Sequence, residues 1–117
     1  VAPVEDKYDL PRGVVRACAG LVESCPNERV AQAIKRAEQA IGRDYADDPI
    51  AQRNRQCLIH MVKGNLVNYK LFDRETMNRR YGLQISHNEL WREKKKFCYQ
   101  LSKELGFLKS REASHAK

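Results

Sequence analysis

DRETMNRRYGLQISHNELWREKKKFCYQLSKELG, residues 73–106, carries more local structural signal than any other part of the chain. Asp73 has the short acceptor side chain that caps a helix start, which predicts a short helix over Arg74–Tyr81. Gly82 follows, and a glycine there can take the left-handed conformation of a tight turn. Leu83 and Ile85 supply turn hydrophobics that point inward. Ser86 then caps a second, longer helix reaching about Leu105, with Glu89 three residues on completing a capping box. Gly106 is its natural stop. The prediction is a short helix, a tight turn and a long helix, which is the pattern of a helix-turn-helix. The small residue usual four places before the turn glycine is here Asn78.

The long helix has two unlike faces. With Phe97 at zero and about 100° per residue, Leu90, Cys98, Leu101, Leu105 and Leu108 share a sector of roughly 0–100°. Opposite them, from roughly 160° to 260°, lie Asn88, Arg92, Lys95, Lys96, Tyr99 and Lys103. These side chains can reach phosphates and base edges of duplex DNA. The residues at the helix start would enter a major groove most deeply. His87, Asn88 and Arg92 are therefore the candidates for base edges, Asn suiting adenine and Arg guanine. Lys95, Lys96, Tyr99 and Lys103, with Arg79 and Arg80 of the preceding helix, are candidates for phosphate contacts, and Ser86 at the helix entry is a further DNA-binding candidate. Trp91, at the edge of the apolar sector, reads as a core anchor. Lys94 falls near 60°, within that sector. It either snorkels along the stripe or meets a carboxylate such as Asp73.

Towards the N-terminus the chain punctuates into further helices. Asp9 is a candidate cap with Pro11 in a first turn; Val14, Cys18, Leu21, Val22 and Cys25 then mark an apolar face before Pro26 stops it. Asn27 caps a second helix carrying Val30, Ala33, Ile34, Ala37 and Ile41 and ending at Gly42, its alanines suggesting close packing on a neighbour. Asp48-Pro49 begins a third through Ile50, Cys57, Leu58, Met61 and Val62. Gly64-Asn65 should weaken or kink it before Leu66, Tyr69, Leu71 and Phe72. No segment alternates with a period of two. The expected fold is all-α, a compact bundle of about five helices in one domain: 1–8 a flexible start, 9–72 a helical N-terminal part, 73–108 the helix-turn-helix and 109–117 a flexible tail. Phe107 and Leu108 are expected to fold back on the core.

Composition narrows the function classes. The 117 residues carry a formal charge of +7. Residues 1–73 hold 11 Lys and Arg against 10 Asp and Glu, whereas residues 74–111 hold 10 against 4. The excess thus concentrates on the predicted helix-turn-helix, as a phosphate-binding surface requires. The four cysteines, at 18, 25, 57 and 98, lack the close pairing of a zinc site. Cys18 and Cys25 lie about 10 Å apart along one helix, too far for a disulfide. All four sit on or beside apolar stripes, consistent with small hydrophobes in a reducing, cytoplasmic compartment. No apolar run is long enough for a membrane span. The opening Val1–Asp6 lacks the basic and apolar regions of a signal peptide. Nucleophile–base pairs, phosphate loops and paired carboxylates at helical spacing do not stand out, so neither an enzyme nor a cofactor is expected.

LPRGVVRAC (residues 10–18) and SHNELWREKKKFCYQLSKELGFL (residues 86–108) resemble short prophage-encoded proteins of Gram-positive bacteria. The closing helix is similar to region 4 of sigma-70-type factors and to ArpU-type late-transcription regulators. Trp91, Lys94, Phe97, Leu101, Leu105 and Gly106 occupy the pattern positions. The resemblance implies a helical module that binds promoter DNA and touches RNA polymerase. Met77-Asn78-Arg79-Arg80 departs from it, being more basic and poorer in alanine, which leaves promoter geometry open.

The leading expectation is a DNA-binding transcriptional regulator. The alternative is a helical interaction or assembly module, such as a small packaging subunit or a polymerase adaptor, with Ala33, Ala37 and Ala40 forming an oligomer interface. A homo-oligomer is compatible with both.

Overall fold

Five helices make up the described part of the computed structural model, residues 10–106: α1 (Arg12–Ser24), α2 (Glu28–Glu38), α3 (Pro49–Val67), α4 (Arg74–Tyr81) and α5 (His87–Leu105). No strand occurs among the described residues. The expected cap at Asp9, the flexible ends and the folding back of Phe107 and Leu108 lie outside them.

Four of the five starts follow one local rule, in which a short side chain accepts from the backbone N–H three residues on. Asn27 accepts from Val30 at 3.0 Å, Asp48 from Ala51 at 2.8 Å, Asp73 from Thr76 at 3.2 Å and Ser86 from Glu89 at 3.1 Å. Glu89 returns the bond to the Ser86 N–H, completing the capping box. Pro49 occupies the first turn of α3, where its missing N–H costs nothing. The first helix differs from expectation, because Pro11 is itself the N-cap residue, without a side-chain cap bond.

The ends show where local rules yield to packing. The α-helical pattern of α2 stops at Glu38, short of Gly42, and Ala40 and Ile41 continue as three-residue turns bonded to Ala37 and Glu38. That tightening buries both side chains and lets Gly42 turn with φ +61°. The weakening or kink expected at Gly64-Asn65 does not end the helix, and α3 runs on to Val67. Gly64 is there for space: a Cβ would lie 2.9 Å from Cγ of Phe72. Ile50, expected on the apolar stripe of α3, is instead 73% exposed in its first turn. Tyr69 and Leu71 belong to the connector after α3 and are also exposed.

The core gathers around α5. Phe97, Cys98 and Leu101 are completely buried, and α5 packs on α2, α1 and α3, while α4 packs on α3. Truncating a buried phenylalanine costs about 3–5 kcal/mol, so Phe97 alone anchors α5 strongly. Ala33, Ala37 and Ala40 are buried within the chain. This is the close packing their size suggested, and it corrects the idea of an alanine face left for a second copy. Polar clasps fix the arrangement. Arg36 meets Glu104 at 2.7 Å, Lys63 pairs with Glu38, and Arg55 donates to the carbonyls of Ile41 and Gln39, each at 2.8 Å. Glu93 on α5 is buried; its carboxylate accepts from the Gly42 N–H at 2.9 Å and from Lys96 at 3.1 Å. These partners are what allow a carboxylate to be buried.

Candidate nucleic-acid interface

The turn between α4 and α5 is held by side chains as well as by backbone. Gly82 takes φ +68°, and its N–H and that of Leu83 both return to the Asn78 carbonyl. The Asn78 amide then reaches across the turn. Its Nδ2 donates to the Ile85 carbonyl and its Oδ1 accepts from the Ile85 N–H, both at 3.0 Å. Arg74 donates to the same carbonyl at 3.0 Å. Ile85 is buried beneath, with Leu83 packed against the core. Asn78, a departure from the usual small residue, is thus the residue that secures the entry to α5. Its spacing of seven from Ile85 was the available sequence signal, but no local rule ties such a pair.

Beyond this turn the predicted residues separate. Arg79 and Arg80 are exposed on the last turn of α4, where cations also complement the helix dipole. His87, Asn88 and Arg92 are exposed on the first turns of α5, and Lys103 is exposed near its end with Nζ 5.4 Å from the Tyr99 ring centroid. Lys95 and Tyr99 are half-buried. Ser86 is exposed, with its oxygen engaged in capping. Lys96 leaves the set: its side chain is 17% exposed and turns onto Glu93, so its charge is largely neutralised at home. The buried Glu93 that captures it was the signal sequence reasoning passed over.

Two further expectations are corrected on α5. Trp91 is no core anchor; it is 45% exposed, with Lys94 and Lys95 ammonium groups 5.2 Å and 5.9 Å from its ring centroid. Such spacings fall within cation–π range. Lys94 does not pair with Asp73. Its Nζ donates to Oδ1 of Asn65 at 2.8 Å, and the Asn65 amide in turn donates to the Phe72 carbonyl at 2.9 Å. Burial holds the Lys94 ammonium below the usual lysine range. Asp73 stays with α4, its carboxyl held below the usual range by the hydrogen bonds from Thr76.

The cysteines are free. Cys18 and Cys98 are buried, Cys57 is half-buried, and Cys25 is exposed at the end of α1 with φ +40°, against the expectation that all four act as small hydrophobes. Among the described residues no helix is long and apolar enough to cross a membrane.

Comparison with known proteins brings no relative to bear: no protein-family model, no curated protein and no solved structure matches the chain.

Proposed function

We propose that the chain binds double-stranded DNA, with α4, the Asn78-braced turn and α5 acting as a helix-turn-helix. In this reading α5 lies in the major groove. Arg92 and Asn88, with His87 at the tip, meet base edges. Arg79, Arg80, Lys95, Tyr99 and Lys103 hold phosphates. The observation that carries the reading is the pinned start of α5, where a doubly bonded turn presents exposed Asn88 and Arg92 from a helix anchored by Phe97. Reading a groove needs side chains on a rigid element, because each bidentate base contact discriminates by only about 1–3 kcal/mol and depends on geometry. The charge excess of residues 74–111 supports the same reading. Regulation of transcription, a prophage origin and contact with RNA polymerase are proposed on the family resemblance, and a cytoplasmic setting on the free cysteines.

Duplex binding should weaken steeply as salt rises, since each neutralised phosphate releases counterions. Arg92→Ala with Lys95→Ala should reduce affinity and flatten that slope, as measured by fluorescence anisotropy on a labelled duplex. Unchanged affinity in the double variant would refute the role of α5. A second reading, a helical adaptor for a protein partner, is favoured by the exposed Ile50, Tyr69, Leu71 and Trp91. It predicts no duplex binding at low salt.

A further inference from the structure

Between the α3–α4 connector and the first turns of α5 lies an open cleft of about 440 Å³, a size within the range of small-molecule sites. Its walls include Tyr69, Leu90 and Trp91, and its polar groups include Arg74, His87 and Lys94. We propose that this cleft binds a nucleoside phosphate, the phosphoryl group held by Lys94 and Arg74 and the base laid against Tyr69.

Lys94 is the strongest pointer. An ammonium drawn half out of water normally finds a carboxylate, because burying an unmatched charge is costly. Here, among the described residues, it meets the neutral amide oxygen of Asn65 at 2.8 Å and the Trp91 ring. Asp73 lines the same cleft and makes no ion pair with it, being occupied as the cap of α4. Among the described residues, therefore, no carboxylate pairs with this positive charge. Arg74 adds a second cation: its guanidinium is fixed by one bond to the Ile85 carbonyl, lies 4.0 Å from the exposed Glu75 carboxylate, and has further N–H donors. Two fixed cations, with the His87 ring beside them, suit a phosphoryl group. The apolar part of the cleft suits a flat ring. Tyr69 is 65% exposed on the α3–α4 connector, and exposed aromatics of this kind are stacking platforms for bases. Arg79, Arg80 and Arg92 do not line the cleft, which shares His87 alone with the proposed duplex contacts.

The same ligand chemistry has two sources, a free nucleotide or an unstacked nucleotide of a single strand. Trp91, the chain's single tryptophan, reports directly on the cleft. Its emission should be titrated with adenosine 5′-monophosphate, adenosine, inorganic phosphate and a short single-stranded oligonucleotide. Saturable quenching by the monophosphate, with adenosine and phosphate each far weaker, assigns a free nucleotide; quenching by the oligonucleotide alone assigns a nucleotide within a strand. Lys94→Met should weaken the responding ligand about tenfold while leaving duplex affinity unchanged. Tyr69→Ala, at an exposed position that the fold does not need, should weaken it by about the same factor. No quenching by either nucleotide form, equal quenching by phosphate alone, or full affinity in both variants overturns the proposal. Because duplex affinity is read separately, failure here and failure of the DNA-binding reading are distinguishable.

Discussion

Asn78 and Asn65 carry more of this structure than their residue type announces. Each places a side-chain amide against backbone and thereby fixes one boundary of the candidate interface, Asn78 at the turn and Asn65 between Phe72 and Lys94. Alanine is the better helix former by about 0.5 kcal/mol, so Asn78→Ala would be stabilising if propensity decided. It does not decide, because the change removes both bonds to Ile85 and strands its N–H, at a cost of about 1–3 kcal/mol. The expected outcome is a lower denaturant midpoint with an unchanged slope. A variant as stable as the parent would show that Gly82 and Arg74 hold the turn without Asn78. Gly64 teaches the same lesson from the other side: it reads as a breaker in sequence, yet its lack of a side chain is what admits the Phe72 ring.

Among the elements, α2 and α5 form the pair on which the rest is assembled, and their far ends are clasped by Arg36 and Glu104. The hydrogen bond from Arg36 holds the Glu104 carboxyl below its ordinary value of 4.5. A carboxylate depressed in the folded state binds fewer protons there than in the unfolded chain. Its contribution to stability is therefore present above about pH 4.5 and is lost as pH falls through the lowered folded value. Asp73, also depressed, acts in the same direction at the start of α4. Thermal midpoints measured from neutral to acid pH should decline, and Arg36→Ala should make the decline shallower. The difference should stay under about 1 kcal/mol, since the pair is largely solvated. An identical pH profile in the variant would mean that the clasp adds nothing.

For the whole molecule, the docking of α1 on α5 is the most distant join in sequence, and it encloses two thiols. Cys18 donates to the Cys98 carbonyl at 3.6 Å and lies 3.6 Å from the Ser102 hydroxyl. Its hydrogen bond and burial push the Cys98 thiol above the ordinary cysteine range. A thiol-reactive dye should therefore label Cys25 first and Cys57 more slowly, with Cys18 and Cys98 protected until the chain unfolds. Labelling of Cys18 at the rate of Cys25 would show that α1 does not stay docked. The same enclosure explains why a cysteine count could not separate buried from exposed thiols: all four lie near apolar residues in sequence, and only helix packing selects two.

The sequence by itself determined the helix starts at Asn27, Asp48, Asp73 and Ser86, the turn at Gly82, the stop at Gly106 and the apolar stripe of α5. These are legible because each rests on bonds spanning three or four residues or on the helical repeat, both of which a linear string displays. Only the tertiary structure decided the fates of Trp91, Lys94 and Lys96, the packing of the α2 alanines within one chain and not against a second copy, and the continuity of α3 through Gly64-Asn65. Lys94 depends on Asn65 at a separation of 29, and Lys96 on its near neighbour Glu93, which is itself fixed by Gly42 at 51. A half-buried polar side chain takes whichever partner the packed helices bring within bonding distance, and that partner is selected by docking, not by local spacing.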